Sequence, residues 1–165
     1  MENDQLRDLD KEQYCDGNMV GTYTGIFQRG EKGRGHQSQG GYADKWRGPS
    51  HFAVHIPSSL DPAAAAPMLC GGTTVYSPLK KYGAGTTAKD VGVIGIGGLG
   101  HFALVFAKAM GANVTAITHG KSKIDDAKEM GASRVIVTGD DAAAAIKGHE
   151  RSLDLIVCSS STSPI

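Results

Sequence analysis

A glycine-spaced turn between an apolar strand and an apolar-striped helix constrains this chain most. Gly95, Gly97 and Gly100 follow the apolar residues 91–94 in the spacing G-x-G-x-x-G. Twenty-three of the 165 residues are glycine, roughly twice the ~7% average, so the spacing alone arises easily by chance. The context makes it specific, because apolar residues recur at helical spacing immediately afterwards, at Leu99, Phe102, Ala103, Phe106, Ala107 and Met110. The sequence therefore predicts a strand, a tight turn and a helix in direct succession.

Each glycine of this motif has a predicted task. Gly95 permits the tight turn, Gly97 lets a pyrophosphate approach the backbone, and Gly100 lets the helix pack closely on the strand. A bound phosphate would lie at the helix N-terminus, where unpaired N–H groups and the helix dipole favour negative charge. The alternative is a glycine turn with a purely structural role. The predicted pyrophosphate site comprises Gly95, Ile96, Gly97, Gly98, Leu99 and Gly100.

The segment that follows the next strand indicates which dinucleotide binds. An NAD site has an Asp or Glu about 20 residues after the glycines, which accepts hydrogen bonds from the ribose hydroxyls. Here no carboxylate occupies that segment, whereas a hydroxyl and two lysines can hold the 2′-phosphate of NADP(H) by charge-assisted bonds. The alternative is that Lys121 and Lys123 only solvate a helix start. The predicted 2′-phosphate site comprises Thr118, His119, Gly120, Lys121, Ser122 and Lys123.

The second part of the chain alternates between short apolar runs and helical periodicities. The predicted strands are residues 91–94, 114–117, 135–137 and 153–157, and the predicted helices are residues 73–82, 99–110, 122–130 and 142–146. Repeated strand–helix units with buried strands predict an α/β fold with a doubly wound parallel sheet. The glycine-rich residues 17–47 carry turn signals, and strands are predicted there and just beyond at residues 19–27, 41–47 and 52–56.

Charge and cysteine content exclude several classes of protein. Seventeen basic and seventeen acidic residues cancel, which disfavours a nucleic-acid binder. No apolar run approaches the ~20 residues that span a bilayer and no signal peptide is recognisable, so we expect no membrane association and a cytoplasmic location. Cys15, Cys70 and Cys158 are an odd number at wide spacings, which argues for metal ligation or plain burial rather than disulfides. Cys158 ends a predicted strand and is expected to act as a small buried side chain.

Six segments together carry a family resemblance over residues 13–157. They are Gln13-Tyr-Cys15, Gly21-Thr-Tyr-Thr-Gly25, Gln39-Gly-Gly-Tyr-Ala-Asp44, Ala66-Pro-Met-Leu-Cys-Gly-Gly-Thr-Thr-Val-Tyr-Ser-Pro-Leu-Lys80, Val91-Gly-Val-Ile-Gly-Ile-Gly-Gly-Leu-Gly-His101 and Asp126-Ala-Lys-Glu-Met-Gly-Ala132. The chain resembles the zinc-dependent medium-chain alcohol dehydrogenases, and among them the NADP-dependent cinnamyl alcohol dehydrogenase branch. The resemblance implies the first half of an NADP-binding Rossmann domain in residues 67–165, preceded in residues 1–66 by a remnant of a β-rich GroES-like catalytic domain.

The same resemblance implies roles for three further residues. Cys70 is similar to the third ligand of the catalytic zinc, and Thr74 to a residue beside the nicotinamide. Cys15 is similar to the last of four cysteines that bind a structural zinc. In the family the zinc polarises the alcohol or aldehyde oxygen while hydride passes to or from the nicotinamide. The expected activity is therefore the interconversion of primary alcohols and aldehydes.

The chain also departs from the family pattern. The family's other zinc ligands have no counterpart at matching positions. The triplet Gly148-His-Glu150 imitates the family's zinc-ligand motif, but it lies between predicted strands, so we interpret the match as coincidence. Family members continue through a second half of the nucleotide fold that forms a homodimer interface, so we expect a chain truncated at both ends with uncovered apolar faces. Two alternatives to an active enzyme follow: a catalytically incomplete NADP(H)-binding fragment that binds cofactor or associates with an intact paralogue, and a zinc-free reductase.

Overall fold

The computed structural model of the chain describes residues 20–27, 34–46 and 50–160. The chain divides into two units, Met1–His55 and Ile56–Ile165. Among the described residues, no helix has the length and apolar character that crossing a membrane requires.

The first unit contains a small antiparallel hairpin. Strand β1 (Tyr23–Ile26) pairs with β2 (Gln37–Gln39), and Tyr23 lies opposite Gln39 in the register. The strand prediction for residues 19–27 is confirmed at its centre, but the predicted strands at 41–47 and 52–56 are wrong within the described residues. Gly40 adopts φ +67°, a left-handed conformation that turns the chain out of the hairpin, and the second segment begins in a 3₁₀ turn, Ser50–Phe52.

The second unit is built on a four-stranded parallel sheet. Its strands are β3 (Asp90–Ile94), β4 (Asn113–Thr118), β5 (Arg134–Val137) and β6 (Leu155–Cys158), in the spatial order β5-β4-β3-β6. The chain adds β4 and β5 on one side of β3 and then returns to place β6 on its other side, as in the first four strands of a doubly wound nucleotide-binding fold. The prediction of an α/β fold with half of a Rossmann domain is confirmed.

Helices connect and precede these strands. They are α1 (Pro62–Pro67), α2 (Thr73–Lys81), α3 (Gly98–Ala109), α4 (Ile124–Glu129) and α5 (Ala142–Ile146). Asp61 caps α1 by accepting a hydrogen bond from the Ala63 N–H at 3.2 Å, and Pro62 fills the first helical position, where its missing N–H costs nothing. A π-helical turn, Met68–Gly72, joins α1 to α2.

One face of the sheet carries the hydrophobic core. Alternate residues of β3, Val91 and Val93, are fully buried together with Leu104 and Ala107 of α3 and Ala127 of α4. A fully buried Val or Leu contributes about 1.5–3 kcal/mol, so these strand–helix contacts stabilise the unit most.

The other face is covered more thinly. The short helix α5 leaves a mostly apolar cavity of about 160 Å³ against the sheet, and Ile156 of β6 is half exposed there. Part of the apolar surface on this face is therefore open to solvent among the described residues. Cys158 at the end of β6 is exposed, so its predicted burial is wrong, since β6 is the outer strand of the described sheet and has no neighbour beyond it.

Candidate functional site

The turn after β3 has the conformation that its glycines predict. Gly95 adopts φ +85°, which residues with a side chain rarely adopt. Its N–H donates to the carbonyl oxygen of Ile117 in β4 at 3.0 Å, so the turn begins directly at the carboxyl end of the sheet. The chain then enters α3 at Gly98, and the predicted strand–turn–helix is confirmed.

Gly100 brings α3 close to the end of β3. A Cβ atom built on Gly100 would collide with the carbonyl oxygen of Gly95, which is main chain and unable to move aside. Gly100 is buried, so the first turn of the helix lies directly against the backbone of the strand. This is the close helix–strand packing that the third glycine of the motif predicts.

Gly97 and Gly98 have the opposite surroundings. A Cβ atom built on either would meet nothing within 4 Å, and both residues are exposed. Gly97 precedes α3 in an extended conformation and no side chain caps the helix. The first N–H groups of α3 therefore lie beside open space, which fits an anionic pyrophosphate.

Ser159 supports this turn from the strand that pairs with β3 on the side away from β4. It follows β6, and its hydroxyl donates to the carbonyl oxygens of Gly95 at 2.8 Å and Ile94 at 3.2 Å. Its backbone N–H also donates to Ile94 at 2.9 Å. Sequence analysis missed this residue. The signal that could have identified it is a polar side chain directly after the strand that pairs with β3.

The Thr118 segment lies at the same edge of the sheet as the glycine turn. Strands β3 and β4 are parallel neighbours in register, with Ile94 opposite Ile117, so the residues that follow each strand lie side by side. Thr118 is buried at the end of β4, whereas His119, Lys121, Ser122 and Lys123 are exposed. The structure therefore brings together the two segments predicted to bind the cofactor.

Charged partners already engage part of this second segment. Lys123 Nζ lies 3.2 Å from Asp126 Oδ2, one turn into α4. His119 Nε2 lies 4.0 Å from Asp140 Oδ1, on the turn after β5. Sequence analysis did not foresee either pairing, and Asp140 was not among the predicted site residues. Within the described ranges, Lys121 is the cation of this segment that has no ion pair.

Cys70 lies in the π-helical turn that packs on α3. A Cβ atom built on Gly71 would lie 3.3 Å from the Phe102 ring, and one on Gly72 would lie 3.3 Å from the Phe106 ring, so the two glycines permit close approach. The Thr74 hydroxyl donates to the carbonyl oxygen of Cys70 at 2.8 Å. The Cys70 thiol is free and exposed, and α3, against which its turn packs, is the helix that follows the glycine motif.

The described residues do not fit a zinc ion. No three of their His, Cys, Asp and Glu side chains come together, whereas a catalytic zinc needs about three protein ligands. Cys15, the other predicted zinc ligand, lies outside the described residues. Glu150 of the imitating triplet accepts a hydrogen bond from the Gly148 N–H at 2.9 Å; backbone hydrogen bonds at Glu150 and Gly148 lower the pKa of its carboxyl. No catalytic step through zinc follows from these residues.

Comparison with known proteins matches part of the second unit to a family. Residues 98–164 match the model of the zinc-binding dehydrogenases. The chain is 45% identical over 130 residues to the NADP-dependent alcohol dehydrogenase C 1 of Mycolicibacterium smegmatis, an alignment that covers 78% of this chain and 36% of that protein.

Two solved structures share the fold. A cinnamyl alcohol dehydrogenase from Sorghum bicolor superposes with a TM-score of 0.83 at 37% identity, over 96% of this chain and 44% of that one. The CAD of Helicobacter pylori complexed with NADP(H) superposes with a TM-score of 0.74 at 28% identity, over 96% of this chain and 42% of that one. The chain thus spans less than half the length of these relatives.

Proposed function

This chain belongs to the zinc-dependent medium-chain alcohol dehydrogenase family, and from that premise we propose that it binds NADP(H) as part of an enzyme that interconverts primary alcohols and aldehydes. The proposed reaction is hydride transfer of the cinnamyl alcohol dehydrogenase type. The names of the Sorghum bicolor and Mycolicibacterium smegmatis relatives support the substrate class and the choice of cofactor.

The geometry of the glycine turn is the observation that carries the proposal. Gly95 has a left-handed backbone conformation, and Gly100 packs closely against the end of β3. The backbone at Gly97 is open, so the uncapped N–H groups at the start of α3 lie beside free space. A structural turn needs the first two features, and the open backbone at Gly97 supports the proposal because it leaves room for a ligand to approach. An anionic group there gains from the helix dipole and from direct N–H hydrogen bonds.

The residues of this chain would bind and orient the cofactor. NADP(H) supplies the hydride acceptor or donor at its nicotinamide. The backbone of residues 95–100 would hold the pyrophosphate, and Thr118, His119, Gly120, Lys121, Ser122 and Lys123 would surround the 2′-phosphate. Thr74, whose hydroxyl is bonded to the Cys70 carbonyl, would lie beside the nicotinamide, with Cys70 as a prospective zinc ligand.

The wider organisation remains a set of predictions from the sequence. These are the domain division at residues 1–66 and 67–165, the structural zinc role of Cys15, a cytoplasmic location, and assembly as a homodimer. The substrate is proposed as a small alcohol or aldehyde.

An NADPH titration tests the proposed cofactor site. Gly97→Ala places a methyl group in the open space without a clash in the free protein, so folding should be unchanged. We expect its NADPH dissociation constant, measured by nucleotide fluorescence, to rise about tenfold, or about 1.4 kcal/mol. Gly41→Ala is the matched control, because that glycine also lies in open space, in the first unit, and should leave affinity unchanged. Equal affinity in the two variants would contradict the proposed pyrophosphate site.

A second candidate is a catalytically incomplete fragment that binds NADP(H) or associates with an intact paralogue. The observation that favours it is the lack of a three-ligand cluster among the described residues. Zinc analysis of the purified chain separates the two candidates: NADPH binding without stoichiometric zinc or alcohol oxidation supports the binding fragment, whereas bound zinc with turnover supports the enzyme.

A further inference from the structure

We propose that Asp140 is a specificity-determining residue, which limits the preference for NADP(H) over NAD(H) by placing a carboxylate beside the 2′-phosphate site. The inference rests on the proposed function and deepens it. In the family pattern, discrimination between the two cofactors is read from the segment that follows the second strand of the nucleotide fold. Asp140 lies outside that segment, on the turn that follows the third.

Backbone hydrogen bonds hold these two turns together. The Thr138 N–H donates to the Thr118 carbonyl at 2.9 Å, and the Gly139 N–H donates to the His119 carbonyl at 3.1 Å. The pairing of β4 with β5 therefore continues beyond the ends of both strands. Asp140 is the next residue, so its position relative to His119 is fixed by main chain rather than by a flexible loop.

The Asp140 carboxylate is free to act on a ligand. Its Oδ1 lies 4.0 Å from His119 Nε2, and both side chains are largely exposed. The neighbouring Asp141 has a structural task, because its carboxylate accepts a hydrogen bond from the Ala144 N–H at 2.9 Å and caps α5. Within the described residues, the Asp140 carboxylate makes no ion pair or hydrogen bond apart from its contact with His119, so removing its charge should not disturb the fold.

The charge balance at the site gives Asp140 its effect. Lys123 is paired with Asp126 at 3.2 Å, which leaves Lys121 as the lysine of residues 118–123 that has no ion pair with a described residue. A 2′-phosphate arriving there meets Lys121 and also the carboxylate beside His119. Like charges a few ångströms apart repel each other even in water, and salt screens that repulsion. NAD(H) carries a hydroxyl in place of this phosphate and is largely insensitive to Asp140.

Equilibrium titrations of Asp140→Asn with NADPH and with NADH test the inference. We expect NADPH affinity to increase about three- to tenfold at low salt, because the repulsion between Asp140 and the 2′-phosphate is removed. NADH affinity should change less than about twofold. At about 0.1 M salt, surface charges still act over about 10 Å. The difference between the two nucleotides should shrink as salt is raised. Glu129→Gln is the control, because it removes one exposed negative charge at the far end of α4 and should change neither affinity.

The outcomes distinguish this inference from the proposed function. Equal changes for NADPH and NADH, or no change for either, would overturn the role of Asp140 while leaving NADPH binding intact. If the unmodified protein binds neither nucleotide and is insensitive to Gly97→Ala, both the proposed function and this inference fail together. Competition by 2′-AMP, but not by 5′-AMP, that strengthens in Asp140→Asn would locate the effect at the 2′-phosphate.

Discussion

The hydroxyl of Ser159 lies 2.8 Å from the carbonyl oxygen of Gly95, a contact that joins the end of β6 to the glycine turn after β3. The two residues are 64 positions apart, and between them the chain passes through three strand–helix units. The proposed pyrophosphate site is therefore positioned by the outer strand of the sheet as well as by its own motif. The same hydroxyl also contacts the Ile94 carbonyl, so it fixes both residues at the point where the strand becomes the turn.

Ser159→Ala should weaken both the fold and the cofactor site. One hydrogen bond to a half-buried carbonyl contributes about 1 kcal/mol, so we expect the free energy of unfolding in urea to fall by about that amount. NADPH affinity should fall about two- to fivefold, since a less constrained turn must be ordered on binding. Ser77→Ala is the control, because Ser77 is exposed in α2 and its side chain makes no hydrogen bond to the described residues; NADPH affinity should stay unchanged and stability should not fall, since alanine favours a helix slightly more than serine does. A Ser159 variant that matches this control would show that the contact has no energetic role.

Gly100→Ala should destabilise the protein much more than Gly98→Ala. The added methyl group at Gly100 would collide with the Gly95 carbonyl, and forcing α3 away from the strand costs about 1–3 kcal/mol. At Gly98, the first residue of α3, the same group meets nothing within 4 Å, and the lower conformational freedom of the unfolded alanine variant gains about 0.4–1 kcal/mol. Urea midpoints of the two variants should therefore move in opposite directions. A loss of stability at both positions would contradict the packing described for the first turn of α3.

Asp154→Ala should lower stability without affecting nucleotide binding. The Asp154 carboxylate accepts hydrogen bonds from the backbone N–H groups of Lys89 at 2.8 Å and Asp90 at 2.9 Å, and so ties the start of β6 to the start of β3. Because the group is exposed, we expect a loss of about 1 kcal/mol rather than the full value of two charge-assisted bonds. These contacts lie at the amino ends of the strands, opposite the proposed site. Unchanged NADPH affinity alongside a lower urea midpoint is the expected result.

The strand–helix units could be predicted from sequence because each one is encoded locally. Apolar runs three to five residues long and helical periodicities mark β3 to β6 and α2 to α5, and the observed ends lie within a few residues of the predicted ones. The predicted helix at 122–130 divides into a 3₁₀ turn, Lys121–Lys123, and α4. A glycine at each end of the segment marked its start and stop but not this internal change of pitch.

Contacts between distant segments could not be predicted in the same way. Strand β2 has the sequence Gln-Ser-Gln, which shows no apolar alternation, and it forms because β1 lies beside it. The approach of Asp140 to His119 and of Ser159 to Gly95 depends on strand order, which propensity does not encode. The motif therefore predicted which residues form the candidate site, while the residues that support or oppose it emerged only from the sheet topology.

Acidification should remove a small stabilising contribution from Glu150. Backbone hydrogen bonds at Glu150 itself and at Gly148 hold the pKa of its carboxyl below the ordinary value of 4.5. A carboxyl group whose pKa is lower in the folded protein than in the unfolded chain stabilises the fold at pH values above its unfolded-state pKa. This stabilisation is lost as the pH falls through the folded-state pKa. Urea midpoints of the parent and Glu150→Gln should differ near pH 7 and converge once the pH lies below the lowered pKa of the folded protein. A difference that persists at low pH would assign the effect to something other than carboxylate charge.

Thr118→Asp should shift cofactor preference from NADPH towards NADH. Thr118 ends β4, where NAD sites carry a carboxylate that accepts hydrogen bonds from the ribose hydroxyls and repels a 2′-phosphate. We expect the ratio of NADPH to NADH affinity to fall at least about tenfold, with most of the change in NADPH binding. Thr118 is only 8% exposed, so Thr118→Asn is the control for any loss of stability at this buried position. A ratio that stays unchanged in a folded Thr118→Asp variant would refute the assignment of the 2′-phosphate to this segment, whereas the same shift in Thr118→Asn would assign it to shape rather than to charge.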